Sequence, residues 1–185
     1  MQSQKWLTIF GFSVLGISLF TATGCNKDDG SNPDNEEELI TTMVLTFSDG
    51  SGVSNSFVFE DLDGVGGSAP TIQPIILATS ATYSLTVAFF DKSQAGQTRD
   101  ITAEVAAESA AHLICFETLG NAPMPVIQDT DTNGKPLGLL SQVVTAAAGN
   151  GKLTVSLKHE PDKSSANPCA GGETDAEATF DVIIN

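Results

Sequence analysis

His112 and His159 are the only histidines in the chain. A neutral imidazole is a common ligand for a divalent transition metal, and carboxylates complete such a set. Glu104, Glu108 and His112 are spaced four apart, which on a helix places them along one stripe. Glu108, His112 and His159 are therefore the candidate transition-metal ligands, with Glu173 and Asp175 of the segment Gly171-Gly172-Glu173-Thr174-Asp175 as further carboxylates. The plainer reading of the stripe is a solvated acidic face with a histidine at the helix C-terminus, where its partial positive charge meets the helix dipole.

A second pattern suits a harder cation. Asp129-Thr130-Asp131-Thr132-Asn133-Gly134 reproduces the opening half of a D-x-D-x-N-G calcium loop, in which alternate side-chain oxygens face one ion and glycine permits the bend. The twelfth position is Leu140, where an EF-hand needs a bidentate Glu, so an ordinary EF-hand is excluded. What remains is a loop site completed by carboxylates from elsewhere. The acidic loop Glu60 to Gly67 carries Asp61 and Asp63 in a similar setting. Asp129, Asp131, Asn133, Asp61 and Asp63 are thus the candidate calcium ligands, and calcium is the one cofactor the sequence suggests. Both loops also read as ordinary inter-strand turns, which favour Asp, Asn and Gly in any case.

The chain has three cysteines. Cys25 follows Thr21-Ala22-Thr23-Gly24 and an apolar run from Trp6 to Phe20 preceded by Lys5. This is the layout of a secretory signal whose apolar stretch is short for a membrane span. Small residues before a cysteine resemble the lipobox of bacterial lipoproteins, with Ala22 where Leu is usual, and imply cleavage after residue 24 and diacylation of Cys25. Cys115 and Cys169 then remain in an oxidising compartment as a candidate disulfide. The alternative is a buried thiol at Cys115 that does not reach its partner. Nucleophile elbows, zinc-protease helices, P-loops and dinucleotide fingerprints are all missing from the sequence, so a non-enzymatic protein is expected.

These residues need elements to position them. From Leu39 onward, β-branched and aromatic residues come in short runs broken by Gly, Asp, Asn and Pro. The runs predict strands over 40–48, 56–60, 82–90, 112–118, 125–128, 141–145, 152–159 and 176–184. Leu153, Val155 and Leu157 alternate with Lys152, Thr154, Ser156 and Lys158, the pattern of a half-buried strand. The turn 48–52 predicts a hairpin between the first two runs. The Ala- and Glu-rich stretch 101–111, with Asp100 as N-cap, predicts one short helix. The fold expected is mainly β, a single antiparallel sandwich of immunoglobulin-like or related type, with an α+β arrangement as the alternative.

The organisation that follows is a signal peptide over 1–24, an acidic flexible tether over 25–38 and one domain over 39–185. The formal net charge is −15. Removing residues 1–24 takes away Lys5 and no acid, which leaves 161 residues at −16. That charge opposes nucleic acid and anionic bilayers, both of which need a basic surface. Six of the acids lie between Asp28 and Glu38, in a composition that cannot bury apolar surface. Asn26-Lys27-Asp28-Asp29 after the cysteine looks like an export signal to the outer leaflet of the outer membrane.

The chain resembles a group of small Bacteroidota outer-membrane lipoproteins. The residues that carry the resemblance are Asn35 to Thr42, Asp61-Leu62-Asp63-Gly64 with Gly66-Gly67, the Ile101 to His112 stretch, Asp129 to Leu139, Leu157-Lys158-His159, and Gly172-Glu173-Thr174-Asp175. Members are often labelled as a type 1 periplasmic binding fold superfamily. That label implies a two-lobed α/β fold, which a chain with one predicted helix does not fit. The resemblance implies a location, lipid-anchored at the outer membrane and facing the cell surface, and carries no firm activity with it. The expected role is a binding or accessory module that captures a ligand or metal for an outer-membrane transporter. The alternative is a structural or adhesive module stiffened by calcium.

Overall fold

The computed structural model describes residues 39–64 and 66–185. The signal-peptide, tether and Cys25 expectations fall outside these residues. Two sheets form a β-sandwich. One has the order β3-β2-β1-β5-β9-β8, built from Thr42–Asp49 (β1), Ser54–Glu60 (β2), Thr71–Ile72 (β3), Thr82–Asp91 (β5), Val126–Ile127 (β8) and Leu140–Val144 (β9), with Arg99–Asp100 (β6) also pairing with β5. The other has the order β4-β11-β10-β7, from Ile75–Leu77 (β4), His112–Gly120 (β7), Gly149–His159 (β10) and Glu173–Ile184 (β11).

Alternation creates the core. Met43, Leu45 and Phe47 of β1 and Leu85, Val87 and Phe89 of β5 are buried from one sheet. They meet Leu153, Val155 and Leu157 of β10 and Ala178, Phe180, Val182 and Ile184 of β11 in a single cluster. The residues between them on β11, Glu177, Thr179, Asp181 and Ile183, are exposed. A period of two thus sends one set of side chains to the opposing sheet and the other to water. The predicted hairpin at 48–52 forms, and the Asp49 carboxylate accepts the amides of Ser51 and Val53.

Three strands escape the sequence pattern: β3 and β6 have two residues each, and β4 has three. β4 follows Pro74 and is too short to stand out, yet Ile75 and Leu77 are buried. It pairs in parallel with β11, in a sandwich whose other ladders among the described residues are antiparallel, as expected. The helix α1 is Thr102–Ala107, shorter than the 101–111 expected. Ile101, not Asp100, holds the cap position, while the Asp100 carboxylate accepts the Thr102 amide. The chain leaves helical geometry after Ala107 because Ala111 must meet Glu160, whose amide donates to the Ala111 carbonyl beside the start of β7. Among the described residues no helix is long and apolar enough to cross a membrane.

The connection from β10 to β11, which includes a 3₁₀ turn at Pro168–Ala170, doubles back over β7. Cys169 within it is bonded to Cys115 of β7, with Cα atoms 5.9 Å apart. Gly172 ends this connection at φ +74°, and a Cβ there would collide with the His159 carbonyl and the Pro161 backbone. Gly172→Ala should therefore cost at least about 2 kcal/mol, from strained backbone plus the forced shift. Urea unfolding of the variant against the native chain measures it.

Candidate functional site

His112 opens β7 and His159 closes β10, and the two are directly paired across the antiparallel ladder. Directly opposed residues project to the same face with Cβ atoms close together. Their rings accordingly stack at 4.9 Å between centroids and 19° between planes. Both point to the inner face, since His159 continues the alternation of Leu153, Val155 and Leu157, and His112 that of Ile114.

The third member comes from a fault in the next ladder. Along β10 and β11, Leu157 pairs with Ala176 but Lys158 pairs with Thr174, so Asp175 is the extra residue of a β-bulge. Lys158 Nζ donates to Thr174 Oγ1 on the exposed face, while Ala176 packs against the core. The bulge thus turns the Asp175 carboxylate inward, one of the uses to which bulges are put. Its Oδ2 lies 3.7 Å from His112 Nε2 and its Oδ1 lies 4.0 Å from His159 Nδ1. Side-chain exposure is 0% for His112, 6% for His159 and 1% for Asp175. One ligand atom from each of the three lies within 4.8 Å of the others.

Hydrogen bonding constrains the tautomer. His112 Nδ1 lies 3.2 Å from the Glu108 carbonyl oxygen. A carbonyl only accepts, so Nδ1 carries the proton and donates. In the neutral ring Nε2 then presents its lone pair on the Asp175 side. His159 Nδ1 is buried with no hydrogen-bond partner among the described residues.

Asp175 also borders a cavity of about 590 Å³ at this end of the sandwich. Its acidic lining is Asp61, Asp63, Glu173, Asp175 and Glu177, set against the apolar Leu39, Ile40, Phe59 and Leu62. Asp61 Oδ1 accepts the Gly64 amide and Asp63 Oδ2 the Ser68 amide. Lys92, just past the end of β5, is paired with Glu60 at 3.0 Å, and Lys158 of β10 donates to Thr174, which also lines the cavity.

The predicted site residues therefore separate. His112 and His159 come together, and Asp175 joins them. Glu108 does not, because the helix stops before it: its side chain is exposed and only its carbonyl reaches His112. The Glu104 carboxylate is held by Arg99 in a two-pronged ion pair, so the stripe of three residues spaced four apart has no structural counterpart. Asp61 and Asp63 line the cavity, whereas Asp129, Asp131 and Asn133 lie in another loop. Asp129 accepts the amides of Gly138 and Leu140 with its two oxygens. Asp131 Oδ1 accepts the amides of Asn133 and Lys135, and its Oδ2 takes the Lys163 ammonium at 3.0 Å. Those oxygens already have donors, and the loop's charge is met by a lysine that also donates to the Ser109 carbonyl.

Burial works to raise the Asp131 carboxyl, but the Lys135 amide, the Lys163 ammonium and the Asn133 amide outweigh it and hold the group below 3.8. A depressed folded value means the contact stabilises the fold above pH 3.8 and fades as pH falls through the lower folded value. Asp131→Asn should thus be less stable than the native chain at neutral pH. The gap between the two melting temperatures should close as pH drops well below 3.8.

No protein family, curated protein or solved structure matches this chain.

Proposed function

We propose that this chain is a non-enzymatic binding module, anchored by lipid on Cys25 to the outer membrane and displayed at the cell surface. There it captures a cationic ligand or metal for an outer-membrane transporter. The observation that carries the reading is the acidic cavity at one end of the sandwich, which Asp175 joins to two buried histidines. Carboxylates that converge on a concave, partly apolar lining raise the local cation concentration, as a charged cleft does for any oppositely charged ligand. An acidic tether that repels itself holds such a domain away from the membrane. Two acyl chains on one cysteine give a stable anchor, at about 0.8 kcal/mol for each buried CH₂.

The calcium-stiffened alternative draws less support, because the Asp129 and Asp131 oxygens are engaged by backbone amides and Lys163. Protease added to intact cells should digest the native protein. Cys25→Ala should release it from the membrane fraction. Deleting the gene should slow uptake of the captured cation under limitation. Protection of the native protein from protease, or uptake unchanged by the deletion, would sink the reading.

A further inference from the structure

We infer that His112, His159 and Asp175 form a binding site for a divalent transition metal of the zinc class. This deepens the reading of the cavity end as the binding end and rests on it. Two imidazole nitrogens and one carboxylate match the borderline-soft preference of zinc and its neighbours, and disfavour calcium and magnesium, which take oxygen alone.

The distances fit a set drawn together by an ion. Tetrahedral ligands at about 2.0–2.1 Å from zinc lie about 3.3 Å from one another. The closest pair here, at 3.7 Å, needs to close by roughly 0.4 Å, and a separation of 4.8 Å by roughly 1.5 Å. Small ring rotations supply movements of that size.

The supporting contacts are those a metal site uses. A ligating histidine typically donates its other ring N–H to a carbonyl or carboxylate, which fixes its tautomer. His112 does this to the Glu108 carbonyl, and its Nε2 lies 3.7 Å from Asp175 Oδ2. His159 Nδ1 is a buried ring nitrogen with no hydrogen-bond partner among the described residues, 4.0 Å from Asp175 Oδ1, and leaving a buried polar atom unsatisfied costs free energy. The three residues stand on three adjacent strands, β7, β10 and β11, and the disulfide locks the β10–β11 connection to β7. The site is thus built on paired strands with a covalent tie beside it, not on a loop. Three protein ligands are one fewer than a closed tetrahedral site has. Asp175 borders the cavity through which a fourth would come, and Asp61, Asp63, Glu173 and Glu177 favour the approach of a cation.

The test uses the full chain, purified in detergent, stripped with chelator and titrated with Zn(II) and separately with Co(II). One zinc per chain at micromolar or tighter Kd is expected, with the visible absorption bands of low-coordinate cobalt. His159→Gln and Asp175→Asn should each weaken zinc binding by roughly 100-fold or more. Asp131→Asn should leave it unchanged. A native chain that is folded by circular dichroism yet takes up no stoichiometric zinc would overturn the assignment, as would zinc binding that survives both variants. Should either variant fail to fold, imidazole NMR of the native chain decides. Selective movement of the His112 and His159 resonances with one equivalent of zinc supports the site, and unmoved resonances overturn it. Zinc binding in a protein that is not surface-displayed would refute the capture reading and leave the site standing. Display without zinc binding would do the reverse.

Discussion

Replacing both Cys115 and Cys169 with serine should lower the free energy of unfolding by about 4 kcal/mol. The bond spans 54 residues, and closing a loop of that length removes roughly that much chain entropy from the unfolded ensemble. Set against a typical domain stability of about 5–15 kcal/mol, this is a large fraction. Cys115 and Leu113 alternate to the outer face of β7 and are nonetheless buried, so the connection after His159 covers them and loses its tether when the bond is absent. Denaturant titration of the native, reduced and double-serine chains measures the effect, and the last two should agree. A loss under about 1 kcal/mol would show that packing alone holds the connection down. Because that connection links His159 to the strand bearing Asp175, the reduced chain should also bind zinc more weakly than the oxidised one.

Phe180→Ala should cost about 3–5 kcal/mol, the range for deleting a buried aromatic side chain. Phe180 is fully buried on β11, between β10 and the edge strand β4. It belongs to the cluster formed from the inner faces of both sheets, so its removal opens a void that neither sheet can close without moving the other. The expected result is a lower urea midpoint with cooperativity retained. Phe180 pairs with Leu153, near the middle of the shared ladder, whereas Asp175 and His159 lie at its end. Zinc affinity measured well below the melting temperature should therefore change little. A large loss of zinc affinity in a chain that is still folded would mean that the core and the histidine pair are coupled more tightly than their separation along the ladder implies.

How far the sequence reaches is clearest at particular elements. The stretch 152–159 reads directly as a half-buried strand because a period-two pattern needs only neighbouring residues to be seen, and β10 forms there with Leu153, Val155 and Leu157 inside. The hairpin at 48–52 is equally local. β4 is not, since three apolar residues after a proline carry no period, and their partner on β11 lies more than a hundred residues away. The helix shows a third case. Its composition favours a helix to residue 111, but the demands of β7 and the Glu160 contact end it at Ala107. Tertiary pairing overrides propensity because the latter amounts to only tenths of a kcal/mol per residue.

The candidate site divides along the same line. The two histidines were identifiable as candidate ligands by type, and Cys115–Cys169 as a candidate pair by elimination once Cys25 is assigned to lipid. The helical spacing that placed Glu108 beside His112 fails, because His112 lies on a strand. The residue types at 129–134 also suit a turn, and backbone amides together with the Lys163 ammonium hydrogen-bond its carboxylates.

By itself, then, the sequence determined the sandwich and the kinds of atom available to bind a cation, because alternation, turn chemistry and ligand chemistry are properties of residues and their near neighbours. Only the tertiary structure decided which of those atoms meet. The meeting of His112, His159 and Asp175 depends on the register of two ladders and on one extra residue between Thr174 and Ala176, and register is set by pairing between distant segments.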